Sequence, residues 1–300
     1  MKRRLLYIVN PISGTGNKKS TKDIIKAKTT GAGMPFSIYP SVESGNYSFL
    51  VPIINEQKIT DVVIAGGDGT INQVVNSLRK LNVQFGIIPC GSGNGLAFSA
   101  SIPKSTEKAL DIIFHGKSVW TDAFMVNKTF ACMLCGLGFD AKVAQDFAND
   151  PNRGLITYIR KTISNFLTAK TYPFILSNNN KEIRTDALFI SIANSNQFGN
   201  HFTIAPKAKL TDGLIDIVVM TKQNKLSMLY EAMKQVGGYN ELQQLELIDE
   251  EANVLYFQTD ELNIRNPKFA PMHIDGDPVE TAEKIQIRLL KKAFRLIFPA

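Results

Sequence analysis

The sequence predicts a two-part α/β plus β chain: a parallel α/β domain over residues 1–125, then a mostly antiparallel, strand-rich domain over 126–288. The last segment, 289–300, is expected to return to the first domain. Three observations carry this prediction. Apolar runs at Leu5 to Val9, Ser37 to Tyr39, Val62 to Ala65 and Phe85 to Ile88 each end in a loop of small or polar residues, with helical segments between them. One of those loops, Gly66-Gly67-Asp68-Gly69-Thr70, runs from a continuous apolar strand straight into helical spacing at Ile71, Val74, Val75 and Leu78. Beyond about residue 125 the alternation of strand and helix fades. Runs such as Ala187 to Ala193, Gly213 to Val219 and Ile285 to Leu289 take over, with partial period-two patterning.

Taken in order, Leu5 to Val9 is a short strand that ends in Asn10-Pro11-Ile12-Ser13-Gly14-Thr15-Gly16-Asn17 before a Lys-rich helical stretch. That loop suits a phosphate or a plain turn, but the Gly-x-x-x-x-Gly-Lys-Ser/Thr mononucleotide pattern cannot be placed on it. Ser41 to Gly45 is the polar turn after the second strand. At the glycine corner, Thr70 as N-cap with Gln73 three residues on predicts a capping box, which leaves the first free N–H groups of the helix beside three glycines. Glycine allows close backbone approach and a helix N-terminus favours negative charge, so a polyphosphate fits there. Asp68 repels such a ligand unless it holds a bridging Mg²⁺ or orients a nucleophile, and both roles belong to phosphoryl transfer. The fourth strand ends in Pro89-Cys90-Gly91-Ser92-Gly93-Asn94-Gly95. In a parallel sheet these loops gather at the carboxyl ends of the strands, where ligands bind, so together they predict a nucleotide site.

In the second part, Leu155 to Lys170 carries Ile156, Ile159, Ile163, Phe166 and Leu167 at helical spacing, with Arg153, Arg160, Lys161 and Lys170 nearby. It reads as an amphipathic helix packed on the second domain, or as a basic face for a membrane surface. Composition bounds the rest. With 44% hydrophobic and 20% charged residues in 300, the chain is globular and disorder is excluded. The net charge of +7 suits nucleic acid, an anionic membrane or a phosphorylated ligand, but the basic residues are spread thinly and choose none of them. No apolar run reaches membrane-spanning length, and Asn10-Pro11 ends the first one too soon for a signal peptide. Cys132-x-x-Cys135 lacks a second pair or a histidine cluster, so both cysteines are expected as small core residues in a reducing compartment. His115, His201 and His273 are expected in surface or structural roles.

Six motifs stand in a telling order: Asn10-Pro11-x-Ser13-Gly14, Gly66-Gly67-Asp68-Gly69-Thr70, Pro89-x-Gly91-Ser92-x-Asn94, Gly136-x-Gly138-Phe139-Asp140-Ala141, Ala205-Pro206-x-Ala208-x-Leu210-x-Asp212-Gly213 and Ile274-Asp275-Gly276-Asp277. In that order, over nearly the whole chain, the sequence resembles the diacylglycerol kinase catalytic family, which includes bacterial lipid kinases, sphingosine kinases and ceramide kinases. The Pro89 to Ala97 run is more similar to the sphingosine kinase form of its loop.

The resemblance implies an ATP-binding α/β domain and a lipid-binding β-sandwich. By position, Asn10, Pro11, Ile12, Ser13, Gly14, Ser41, Gly66, Gly67, Asp68, Gly69, Thr70, Ile71, Asn72 and Ser92 would contact ATP. Lys209 and Leu214 carbonyls with Asp212 would match the family's structural Mg²⁺ site, although Asp212-Gly213 alone reads as a plain turn. Asp68 would bind catalytic Mg²⁺ or orient the lipid hydroxyl, and Asp140 would lie on the headgroup side. Asp277 would inherit the proton-acceptor role usually held by a glutamate, with Glu280 in reserve and a simple hairpin turn as the other reading. Two further departures are Gln73, where glutamate is common, and Gly199-Asn200-His201 in place of a more glycine-rich run.

The expected activity is phosphoryl transfer from ATP, with Mg²⁺, to a hydroxyl of a diacylglycerol-like or sphingoid lipid. NAD kinase, which shares a Gly-Gly-Asp-Gly corner, and an inactive lipid- or nucleotide-binding regulator are the alternatives. The expected partners are the lipid substrate and an anionic membrane surface touched peripherally from the cytoplasm, with no nucleic acid; a homodimer stays open.

Overall fold

The computed structural model describes residues 3–11, 18–150, 155–178, 181–197 and 203–300. The chain divides into two compact units, Met1–Thr121 with Lys292–Ala300, and Asp122–Lys291.

In the first unit the elements alternate as the apolar runs require: β1 (Leu5–Val9), α1 (Lys18–Gly31), β2 (Phe36–Pro40), α2 (Leu50–Glu56), β3 (Asp61–Gly66), α3 (Asp68–Leu78), β4 (Gln84–Pro89), α4 (Gly95–Ser99) and α5 (Thr106–His115). Every residue of β1 and β3 is buried, as expected of central strands covered on both faces. All four strands pair in parallel in the order β2–β1–β3–β4. The register sets Ile8 beside Ile64 and Ile64 beside Ile87, which lines up the carboxyl ends of the strands. Because β2 lies on one side of β1 and β3 with β4 on the other, the chain reverses its winding between β1 and β3. That is the switch point where open α/β sheets leave a crevice. Beyond β4 the sheet gains the carboxy-terminal residues of the chain, with Leu296 beside Phe85.

β5 (Lys117–Val126) leads into the second unit, which holds β6 (Thr129–Ala131), β7 (Leu134–Gly138), α6 (Phe139–Ala148), α7 (Leu155–Thr168), β8 (Tyr172–Ser177), β9 (Glu182–Ala193), β10 (Ile215–Thr221), α8 (Lys225–Val236), β11 (Val254–Thr259), β12 (Glu261–Arg265), β13 (Met272–Ile274), β14 (Asp277–Val279) and the part of β15 (Lys284–Phe298) up to Lys291. Its strands pair antiparallel throughout, with β9 flanked by β7, β8 and β10, and with β12 between β8 and β15. Alternate residues of β9 and β10 feed two cores. Ile190, Ile192, Ile217 and Val219 join a large one with Phe174, Phe257 and Ile287. Phe189, Ala193, Val218 and Met220 face the other with Met228 and Tyr256. The fold is thus a parallel α/β unit and an antiparallel sandwich-type unit. Cys132 and Cys135 are buried free thiols, small core residues as their setting suggested.

Candidate functional site

In the first unit the carboxyl ends of β1, β2, β3 and β4 converge through backbone hydrogen bonds that extend the sheet by one residue: Asn10 N donates to Ala65 O (2.9 Å), Ser41 N to Val9 O (3.0 Å) and Cys90 N to Gly66 O (2.9 Å). Ser41 and Asn10 therefore stand beside the glycine corner. Pro11 follows on the surface, and Ile12, Ser13 and Gly14 lie outside the described residues.

The helix after the corner begins three residues earlier than the capping box required. Gly67 is the N-cap, in an extended conformation, and Asp68 opens α3. Thr70 is instead inside the helix, buried, and its Oγ1 accepts from Asn10 Nδ2 at 2.8 Å. A carboxylate in the first turn complements the helix dipole, so the chain can start the helix at Asp68 without a Ser or Thr cap. The corner is correspondingly tight. A Cβ on Gly66 would press into Thr70 at 2.9 Å, and one on Gly91 would lie 2.5 Å from Gly67 Cα. The two glycine loops thus meet backbone to backbone, which no other residue pair permits. Ile71 is buried below the corner, while Asn72 and Ser92 are partly exposed around it.

Asp68 is engaged from the other loop. Its carboxylate accepts from Gly95 N (3.1 Å) and Leu96 N (3.4 Å), the first amides of α4. Asn94, left-handed at φ 58°, holds that loop by accepting from Gly91 N (2.7 Å) and donating to Gly91 O (2.8 Å). Side chains thus tie both loops, and α3 begins with no side-chain cap, the kind of helix N-terminus that suits an anion.

The second unit carries an acidic cluster of different construction. β13 and β14 form a hairpin closed by Asp275 (φ 49°) and Gly276 (φ 87°), the positive-φ pair that a two-residue turn demands. Asp275 points inward and is buried. It accepts from Cys132 N (2.8 Å), Met133 N (2.9 Å) and Leu134 N (2.9 Å), so its role is to fasten the turn to the start of β7. Asp277 stands on the exposed side of the same turn, and Glu280 is exposed just beyond β14. Partial desolvation and then the charge of Asp275 raise the Asp277 carboxyl above its ordinary range, with His273 opposing.

His273 is the residue that sequence reasoning undervalued. It is buried on β13 directly opposite Gly136 of β7. Gly276 N donates to its Nδ1 (3.3 Å), which makes Nε2 the protonated nitrogen, and Nε2 faces Asp140 Oδ2 at 3.5 Å. Asp140 lies in the first turn of α6, where its Oδ1 accepts from Ala141 N at 2.8 Å. Burial raises its carboxyl pKa, while His273 pulls it down. A Cβ on Gly136 would collide with both Asp140 Oδ2 and His273 Nε2, so the glycine is what makes room for the pair. Residues two apart share one face of a strand, so the spacing of His273 and Asp275 was the signal available in the sequence. Their partner, Gly136, is legible only from the pairing.

The loop with Lys209, Asp212 and Leu214 is on the same unit. Asp212 is exposed, and its Oδ1 accepts from Leu214 N at 3.2 Å. Buried Asp122 receives Gly213 N at 2.8 Å and donates its own N–H to Leu210 O at 2.8 Å. Desolvation and the charge of Asp122 raise the Asp212 carboxyl pKa. Among the described residues no three His, Cys, Asp or Glu side chains converge as a metal-ligand set, so a cation here would rely on carbonyls beside one or two carboxylates. His115 sits exposed on α5, its Nδ1 3.0 Å from Asp111 O, and His201, Gly199 and Asn200 lie outside the described residues.

Comparisons agree with this division. The diacylglycerol kinase catalytic domain family matches residues 4–126, and the YegS C-terminal NAD kinase beta sandwich-like domain family matches residues 134–297. A protein of Enterobacter sp. (strain 638) named probable lipid kinase YegS-like is 27% identical over 248 residues, covering 80% of this chain and 79% of its own. A Shigella flexneri protein named probable lipid kinase YegS is 26% identical over 275 residues, covering 89% and 87%. In fold, the chain superposes on a solved Bacillus anthracis str. Sterne chain assigned as a diacylglycerol kinase with a TM-score of 0.80 at 21% identity, over 99% of this chain and 98% of that one.

Proposed function

Because the chain belongs to the YegS-like lipid kinase family, with a diacylglycerol kinase catalytic domain followed by a YegS-type β-sandwich-like domain, we propose that it transfers the γ-phosphate of ATP to a hydroxyl of a diacylglycerol-like or sphingoid lipid. The observation that carries the nucleotide half is the meeting of the Gly66–Asp68 and Pro89–Gly95 loops at the carboxyl ends of β3 and β4, next to the winding reversal of a parallel sheet, where a helix N-terminus can hold a polyphosphate.

In this reading Asn10, Pro11, Ser41, Gly66 to Asn72 and Ser92 hold ATP. Bound Mg²⁺ would neutralise phosphate charge, and Asp68, with Asp212 and the Lys209 and Leu214 carbonyls elsewhere, are the oxygen donors that suit a hard cation. At Asp212 the fit rests on the neighbouring charge of Asp122, which a cation would relieve. The remaining chemistry belongs to the second unit. Asp277, exposed and with a raised carboxyl pKa, accepts the hydroxyl proton at a carboxylate oxygen. Asp140 orients the headgroup, holding a hydroxyl or a sphingoid amine, and His273 sets which face of that carboxylate is presented. Asp275 does no chemistry and fixes the turn. No helix of the described chain is long and apolar enough to cross a membrane, so access to lipid would be peripheral, from an anionic surface.

The test is incubation with γ-labelled ATP and Mg²⁺ against diacylglycerol, sphingosine and NAD in parallel. Label in a phospholipid or a phosphorylated sphingoid base supports the reading and names the branch. Label only in NADP turns it to the NAD kinase alternative, and tight ATP binding with no transfer leaves an inactive binder.

A further inference from the structure

Helix α8 is built inside out. On the face turned to the protein lie Met228 and two polar residues, Glu231 and Gln235, all buried. Gln235 Nε2 donates to Ile204 O (2.7 Å) and its Oε1 accepts from Asn240 Nδ2 (2.9 Å), while Glu231 pairs with Lys234 (3.2 Å). The opposite face carries Leu226, Leu229, Tyr230 and Met233, spaced i, i+3, i+4 and i+7 and exposed by 81%, 50%, 58% and 60%. A soluble helix normally turns such a stripe inward. Here the inner polar groups are satisfied in place, so the helix cannot simply roll over to hide the apolar side.

The stripe is also firmly held. Lys225 Nζ donates to Phe166 O (2.7 Å) and Ala169 O (3.1 Å), capping the end of α7, and Asn224 caps α8 by accepting from Ser227 N (2.9 Å). Lys222, Lys225 and Lys234 lie on or beside the helix against Glu231, its one acidic residue, which faces inward. A twelve-residue helix is about 18 Å long, so the stripe falls well short of the roughly 800 Å² per partner of a stable protein interface. A rigid apolar strip edged by lysines instead has the dimensions and charge of an interfacial helix on an anionic bilayer.

We propose that α8 docks the protein on anionic membranes, with Leu226, Leu229, Tyr230 and Met233 entering the boundary between headgroups and acyl chains. The choice of a bilayer over a second copy of the chain rests on the lipid-kinase reading. The apolar side chains carry the docking, since Lys225 is held by the α7 carbonyls, Lys234 by Glu231 and Lys222 by Asp186, so salt weakens binding less than loss of the apolar side chains does.

The experiment is flotation of the full chain with vesicles of phosphatidylcholine, with and without phosphatidylglycerol, comparing wild type with Leu226→Glu/Met233→Glu. Both changes are on the solvent side, so melting temperature is expected to hold. The partition constant onto the mixed vesicles should fall at least about tenfold, which corresponds to about 1.4 kcal/mol. Equal flotation of the two proteins overturns the proposal. So does a wild type that stays off vesicles and sediments as a dimer that the double variant splits, because the strip is then an interface between copies. Phosphate transfer to a short-chain diacylglycerol dispersed in detergent, measured on both proteins, keeps the questions apart. Transfer absent in both refutes the lipid-kinase reading while flotation still reports on α8.

Discussion

The glycine corner of the first unit and the acidic cluster of the second are built from opposite materials. The corner is made of backbone: Gly67 and Gly91 meet where side chains would not fit, beside a helix N-terminus with no side-chain cap. The cluster is made of side chains: Asp140, His273, Asp275 and Asp277, held by a hairpin and by one glycine that leaves space for two of them. A backbone site recognises what every polyphosphate shares, whereas a side-chain site discriminates among acceptors and can move a proton. The difference teaches that substitutions should separate cleanly, affecting ATP affinity at the corner and turnover or acceptor choice at the cluster.

The sharpest test of that separation is Asp277→Ala. Loss of a positioned proton acceptor should lower kcat by about 10²–10⁴, with KM for ATP and melting temperature nearly unchanged; turnover close to wild type moves the acceptor role to Glu280 or elsewhere. Asp275→Asn should act on the fold instead. One of the three amides that the carboxylate receives would lose its partner, and unfolding free energy measured in denaturant should fall by about 3 kcal/mol. Gly91→Ala breaks the corner: its Cβ would press on the Gly67 backbone, so stability should drop by about 1–3 kcal/mol and the nucleotide KM should rise at unchanged acceptor KM.

The smallest expected effect on activity lies outside both sites. Asp216, buried, accepts from Tyr256 Oη (2.7 Å) and Gln258 Nε2 (3.0 Å), and burial raises its carboxyl to about 6 from 3.8. A raised carboxyl binds its proton more tightly in the folded chain. Its contribution is therefore fully present below pH 3.8 and is lost as pH rises through about 6. Asp216→Asn should flatten that part of a stability-against-pH curve, by about 3 kcal/mol across the window, while leaving kcat alone.

What the sequence made legible follows from the same contrast. The corner is local: strand, turn and helix occupy consecutive residues, so Val62 to Leu78 could be read almost as it folds, apart from the helix start. That error has a physical cause, since an aspartate in the first turn complements the helix dipole without capping its amides, and the helix opens at Asp68 with no side-chain cap. The cluster is nonlocal. Asp275 is tied to amides 141 to 143 residues away, and His273 meets Asp140 through strand pairing that no spacing encodes. Motif order pointed to Asp140 and Asp277 but gave no means to see that Asp275 is structural or that His273 is buried beside Asp140. Nor could the outward stripe of α8 be read, because its helical period is the same whichever face is covered.

The bond from Asp68 to the amides of Gly95 and Leu96 gives the corner a built-in reporter. The carboxylate adds to the burial that shields those two protons from exchange with solvent. A cation or nucleotide that draws Asp68 away should speed their replacement by deuterium, and one that leaves Asp68 in place should slow it. Exchange at two backbone positions can thus follow occupancy of the glycine corner in a protein that is not turning over.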